Sequence, residues 1–191
     1  MGLTHSSTGH GAVDGGLAID RKQPGDRVIA LAGNPNVGKS TLFNTLTGLH
    51  QHTGNWPGKT VASATGYVRA GDRGYHLVDI PGTYSLFASS EEEEVARDFL
   101  LFGGADAAVV VCDACTLERN LNLVLQVTEI APHTVLCLNL VEEAAKKRIR
   151  ISTERLSAAL GIPVIAVNAR RKNSVLPLLA LLETPPASPP G

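Results

Sequence analysis

The sequence predicts an α/β fold, a three-layer sandwich on a mostly parallel sheet with one antiparallel edge hairpin, and three observations predict it. Short apolar runs alternate with amphipathic segments along most of the 191 residues, as strands joined by crossover helices do. The first of these runs leads directly into Gly33-Asn34-Pro35-Asn36-Val37-Gly38-Lys39-Ser40, which has the spacing of a phosphate-cradling P-loop. Polar residues then recur at the carboxyl ends of later strands, where open α/β sheets hold their ligands.

In chain order, residues 1–25 are rich in Gly, Ser and His with little apolar periodicity, so a flexible arm is expected. One domain, 26–183, follows. Arg27 to Ala32 is a short apolar strand, and Lys39 to Leu46 a helix with Leu42, Phe43 and Leu46 on one side, closed by Gly48. Leu49 to Lys59 is polar, with Gly and Pro, and reads as an irregular functional loop. Val61 to Ala70 and Tyr75 to Ile80 are strands of a hairpin turned at Gly71-Asp72-Arg73-Gly74. Ser90 caps a helix running to Phe102, with Glu93 placed for a capping box and Glu91 to Glu94 favoured by the helix dipole.

Ala107 to Cys112 is a continuous apolar strand, and Leu117 to Ile130 a helix with Leu117, Leu121, Val124, Leu125 and Thr128 at helical spacing. Thr134 to Leu138 is a buried strand. Helix 153–160, strand Pro163 to Val167 and helix Val175 to Leu182 complete the order. Residues 184–191, with four prolines in eight positions, read as a linker.

Composition excludes several functions. Lys plus Arg is 17 against 18 for Asp plus Glu, a net charge of -1, so no global field draws nucleic acid or an anionic membrane. No apolar run approaches the ~18 residues that span a bilayer, and no signal-peptide profile opens the chain. The chain reads as cytosolic. Cys112, Cys115 and Cys137 form an odd set beside apolar strands, which suits reduced thiols better than disulfides. Cys112-Asp113-Ala114-Cys115 has metal or redox spacing, against which stands the reading of small residues at a strand end. His50 and His52 lack a nearby carboxylate or thiol to make an iron site.

The chemistry collects around the P-loop. Backbone N–H groups from Gly33 through Asn34, Pro35's neighbours, Asn36, Val37 and Gly38 to Thr41 can face phosphates, helped by the helix N-terminus. Lys39 neutralises the β/γ oxygens and Ser40 offers a hydroxyl to Mg²⁺. Asp79-Ile80-Pro81-Gly82 ends a strand, so Asp79 can hold Mg²⁺ through water and the Gly82 N–H can meet a γ-phosphate. Thr60 can bring a second hydroxyl to the metal. After the next strands come Asn139-Leu140-Val141-Glu142 and Asn168-Ala169-Arg170. A carboxylate at Glu142 can accept the N1–H and 2-amino protons of guanine; the competing reading is a solvated residue opening a helix.

This ordered set resembles the Ras-like G domains. The wording Gly54-Asn55-Trp56-Pro57-Gly58-Lys59-Thr60-Val61, Asp79-Ile80-Pro81-Gly82-Thr83-Tyr84-Ser85-Leu86 and Leu117-Glu118-Arg119-Asn120-Leu121, with the P-loop above, is similar to the cytosolic N-terminal G domain of FeoB-type ferrous iron transporters. The similarity covers roughly Val28 to Leu182 and adds Gly58 to the nucleotide contacts. It implies a GTPase at the cytoplasmic face of the inner membrane, acting as nucleotide switch for a membrane-embedded transport domain of the same polypeptide.

The expected activity is Mg²⁺-dependent hydrolysis of GTP to GDP and phosphate, with Lys39, Thr60, Gly82 and Asn36 in catalytic roles. Thr83 stands where Ras-like enzymes with a side-chain water-positioner carry Gln, so slow intrinsic turnover is expected. The resemblance implies that Asn36 helps hold K⁺ in place of an arginine finger; otherwise its amide bonds only the loop backbone. The alternatives are a nucleotide-sensing module with negligible turnover and a less base-selective P-loop NTPase. Glu142 departs from the family, which carries Asp there.

Overall fold

The computed structural model describes residues 17–87 and 89–183. Within them a seven-stranded sheet runs in the order β2-β3-β4-β1-β5-β6-β7. The strands are β1 (Arg27–Gly33), β2 (Gln51–Asn55), β3 (Ala62–Ala70), β4 (Arg73–Asp79), β5 (Ala107–Asp113), β6 (Thr134–Asn139) and β7 (Val164–Ala166). β4, β1, β5, β6 and β7 are parallel, and β2 and β3 are antiparallel to their neighbours. The expected sandwich is therefore present, and its reason is visible along β1. Val28, Ala30 and Ala32 face one core while Ile29 and Leu31 face the other, so a strand covered on both sides reads as an unbroken apolar run.

Helices α1 (Lys39–Thr47), α6 (Lys172–Val175) and α7 (Pro177–Leu181) cover one face. On the other lie α2 (Glu91–Phe102), α3 (Leu117–Ile130) and α5 (Thr153–Leu160), the last through Leu156 and Leu160. α4 (Val141–Lys146) follows β6 directly. Ser90 caps α2 as expected, its Oγ accepting the Glu93 N–H at 3.2 Å and donating to Glu93 Oε1 at 3.0 Å. The register pairs Leu31 with Asp79, Gly33 with Val111, and Asp113 with Asn139, which lines up the carboxyl ends of four strands.

Four expectations change. The segment 49–59 is not all irregular, since Gln51–Asn55 is an edge strand paired with β3; with both faces mostly exposed it needs no apolar alternation. On α3 the expected Leu117, Leu121 and Val124 do pack on the core, but Leu125 is 53% exposed and the most buried stripe is Asn120, Leu123, Val124 and Val127. A polar residue hides that stripe: Asn120 Nδ2 donates to the Thr116 carbonyl at 2.7 Å and its Oδ1 accepts the Asp113 N–H at 3.3 Å. The final helix is two short ones starting at Lys172. Residues 17–22, placed in the arm by composition, lie against the sheet: Leu17 and Ile19 pack on the core, Arg21 pairs with Asp106 at 3.1 Å, and Lys22 sits 4.0 Å over the Tyr67 ring. Most of the arm and the linker 184–191 lie outside the described residues.

Candidate nucleotide site

The loop between β1 and α1 is shaped by its glycines. Gly38, the residue before α1, has φ 92, and a Cβ there would fall 2.1 Å from Asn139 Nδ2. Gly33 runs against the Val111 carbonyl, 2.8 Å from where a Cβ would sit. Only glycine supplies both the left-handed turn and the close approach. Asn36, at the exposed tip, also has φ 64.

Asn139 ties three motifs together from a buried position. Its Nδ2 donates to the Val37 carbonyl at 3.1 Å, and its Oδ1 accepts the Ala169 N–H at 3.1 Å. The Ala169 carbonyl accepts the Thr45 hydroxyl of α1 at 2.6 Å. The Asn168 side chain turns back on its own loop, accepting the Arg170 N–H at 3.1 Å. The resulting cleft, about 380 Å³, is lined by Asn36, Gly38, Thr41, Asn139, Glu142 and Arg170 among others. Glu142, opening α4, keeps its side chain 57% exposed, with Oε1 3.5 Å from Asn168 Nδ2 and 4.0 Å from Arg171 Nη1. Arg171 is a lining residue that motif spacing does not single out.

The surroundings of the P-loop are equally compact. Lys39 is 9% exposed; its ammonium pairs with the Asp79 carboxylate and donates to the Ile80 carbonyl at 2.8 Å. The Asp79–Thr83 segment lies along the P-loop, with the Ile80 N–H on the Leu31 carbonyl and the Thr83 N–H on the Gly33 carbonyl, both at 3.1 Å. A Cβ at Gly82 would sit 3.4 Å from Pro35 Cα. Ser40 is exposed in the first turn of α1. Beside these, Asn34 is buried with neither amide atom hydrogen-bonded, a feature the spacing rule gives no hint of.

Gly58 lies in the turn between β2 and β3 with φ 69, and Thr60 is drawn elsewhere. Trp56 is buried edge-on against Phe99 of α2, centroids 5.4 Å apart, and its loop closes through Trp56 N–H to the Val61 carbonyl at 2.9 Å. Thr60 is exposed and bonded to Glu91 of α2, its N–H to Oε1 at 3.1 Å and its hydroxyl to Oε2 at 3.0 Å. Lys59 Nζ lies 3.5 Å from Glu94 Oε2. The structure thus brings the P-loop, Asn139, Glu142 and residues 168–170 to one cleft, sets Asp79 and Gly82 against the P-loop, and draws Thr60 to α2.

The remaining chemical candidates are quieter. Burial pushes the Cys112 thiol up to about 12, with the Asp113 charge adding to it, and raises Cys115 by the same two causes. Both are free thiols. His50 and His52 line a separate hollow of about 460 Å³ with Tyr67 and His76. Among the described residues no three or more His, Cys, Asp or Glu come together to hold a metal, and no helix is long and apolar enough to cross a membrane.

A P-loop on a mostly parallel sheet, with an Asp-x-Pro-Gly segment beside it and an Asn-led cleft two strands away, defines a GTP-binding G-domain fold. The family model described as Ferrous iron transport protein B matches residues 27–181. The chain is 45% identical over 151 residues to the Fe(2+) transporter FeoB of Shigella flexneri, a match covering 77% of this chain and 20% of that protein. It superimposes on the G domain of the T. maritima FeoB iron transporter with a TM-score of 0.77 at 39% identity, covering 82% of this chain and 96% of that one. The cytosolic domain of the same transporter in its GMPPNP form gives a TM-score of 0.78 at 39% identity, covering 82% and 62%. The chain belongs to the ferrous iron transport protein B family, and it spans about a fifth of the length of the curated relatives it matches.

Proposed function

We propose that this domain, 26–183, hydrolyses GTP to GDP and phosphate with Mg²⁺ and serves as the nucleotide switch of a ferrous iron transporter whose membrane-embedded part lies in the same polypeptide, at the cytoplasmic face of the cell membrane. One observation carries the reading: Asn139 couples the phosphate loop at Val37 to the base loop at Ala169 within a single cleft. The GMPPNP form of the T. maritima relative supports it.

The donor set fits Mg²⁺, a hard cation that takes oxygen ligands and keeps several waters. The Ser40 hydroxyl and the Asp79 carboxylate would hold it, and Thr60 would join when its loop closes. The metal supplies neutralisation of charge on the phosphates. Lys39 leaves Asp79 for the phosphate oxygens, the amides from Gly33 through Thr41 cradle them, and the Gly82 N–H meets the γ-phosphate. Catalysis rests on positioning and electrostatics. Asn139, Glu142, Asn168, Ala169 and Arg170 form the base site. Thr83 is buried with its N–H spent on Gly33, so no side-chain amide orients water from that position, and turnover falls well below the roughly 10 s⁻¹ of a median enzyme.

Single-turnover hydrolysis with GTP and Mg²⁺ tests this: phosphate release that Lys39→Ala abolishes and a tenfold excess of ATP leaves unaffected is the expected result. Absence of release from bound GTP makes the domain a binding module instead. Asn36, exposed at the loop tip with a left-handed backbone, can present its amide oxygen to a K⁺ ion beside the phosphates. Replacing Na⁺ by K⁺ then raises turnover, and Asn36→Ala removes the gain.

A further inference from the structure

Glu91 has no part in any nucleotide-binding motif, yet it holds the threonine on which the switch turns. Its two carboxylate oxygens take the two donors of Thr60, the backbone N–H at 3.1 Å and the hydroxyl at 3.0 Å. The pairing spans 31 positions and is reinforced one turn along α2, where Glu94 Oε2 lies 3.5 Å from Lys59 Nζ. It is also fixed from beneath: Trp56 and Val61, on either side of this loop, are buried in the core that Phe99 and Val95 of α2 share. The loop is therefore seated on α2 by an apolar anchor and closed there by a carboxylate fork.

We propose that Glu91 is a positioning residue that competes with the γ-phosphate and its metal for Thr60, and so sets how far the domain prefers GTP over GDP. This rests on the reading of Thr60 as the loop's γ-phosphate and Mg²⁺ residue. One N–H makes one good hydrogen bond, so a γ-phosphate oxygen that takes it displaces Glu91 Oε1. The carboxylate also holds the Thr60 hydroxyl by a charge-assisted bond, stronger than a neutral one. A ligand that engages only the released loop is bound more weakly by the fraction of molecules in which the loop is held; a ligand indifferent to Thr60 is not. GTP is of the first kind and GDP of the second.

The test is calorimetric titration of GMPPNP and GDP, each with Mg²⁺, into the wild-type chain and four variants: Glu91→Ala, Glu91→Gln, Thr60→Ala and the Glu91→Ala/Thr60→Ala double. Losing both bonds from Glu91 should tighten GMPPNP about 3- to 10-fold and move GDP less than twofold. Glu91→Gln, which keeps one acceptor oxygen and the helix start, falls between. In the Thr60→Ala background only the backbone N–H bond to Glu91 remains, so the gain shrinks there, which separates it from any effect of Glu91 on the stability of α2. Equal tightening of both nucleotides, no tightening of GMPPNP, or a gain undiminished without the Thr60 hydroxyl each overturns the proposal. Thr60→Ala on its own reports on the underlying reading: if it leaves GMPPNP affinity and its Mg²⁺ dependence unchanged, Thr60 is not the switch ligand.

Discussion

In the proposed base site, Glu142 differs from the family's Asp by a single methylene. An Asp at this place in the family pattern reaches a guanine edge with two parallel bonds; Glu extends the carboxylate by about 1.5 Å. In the structure the longer side chain swings to within 3.5 Å of Asn168 Nδ2 and 4.0 Å of Arg171 Nη1. A charged hydrogen bond contributes about 1.5–3 kcal/mol, so losing one of the pair weakens guanine nucleotides by about 10- to 150-fold. Glu142→Asp is expected to tighten GDP more than IDP, which lacks the 2-amino group, and titration with both nucleotides reads the difference. Gly38 makes the complementary case. Gly38→Ala places a methyl on Asn139 Nδ2 and strains a backbone at φ 92, which should cost about 1–3 kcal/mol in urea unfolding and weaken GDP in the same titration. The P-loop and the Asn-led motifs are legible as residue types at fixed spacing because hydrogen-bond geometry dictates them. Glu91 and Arg171 are not, nor is the unbonded burial of the Asn34 side chain, since their partners or surroundings are set by the fold and no local pattern announces them.

Among the elements, the doubly covered strands and α1 follow directly from apolar periodicity. β2 does not, and on α3 Leu125 of the expected face points outward while Leu117, Leu121 and Val124 pack on the core. Both misreadings have one cause: backbone pairing at an edge and a buried Asn120 carry structure without an apolar side chain to mark it. Trp56 shows the opposite situation, an apolar anchor placed within a polar segment. Its ring packs at 68° to Phe99, and its Nε1 is buried without a partner. Large aromatics truncated in a core cost about 3–5 kcal/mol, and an unpaired buried donor carries its own penalty. Trp56→Ala should therefore lose about 3–5 kcal/mol in urea unfolding, whereas Trp56→Phe, which keeps a ring and removes the stranded N–H, should lose less than about 1.5 kcal/mol. If Phe proves as damaging as Ala, the Nε1–H has a partner in solution.

Across the whole molecule the two ends of the sheet do different work. The carboxyl ends form the cleft, and the amino ends carry a polar clasp. There Asp26 is buried beside His76, 3.1 Å from its Nε2, and accepts the Gln23 N–H at 3.1 Å. Arg27 donates to the Leu182 carbonyl at 2.9 Å, Arg73 pairs with Glu183 at 3.1 Å, and the Tyr75 hydroxyl meets the same carboxylate. Burial alone raises a carboxyl pKa, but at Asp26 the His76 hydrogen bond, the Gln23 N–H and the His76 charge outweigh it and hold the group below its ordinary 3.8. A carboxyl lowered in the folded protein contributes stability that is complete above its unfolded value and is lost as pH falls through the folded one. Asp26→Asn should therefore be less stable than wild type by a constant margin from pH 7 down to about 4, and the margin should shrink only below that. Urea unfolding at a series of pH values measures it. The same variant should bind GDP as the wild type does, because Asp26 sits at the amino end of β1 and the P-loop at its carboxyl end. A margin that changes between pH 7 and about 4 would overturn the assignment to Asp26, and a loss of GDP binding would mean that the clasp reaches the cleft through β1.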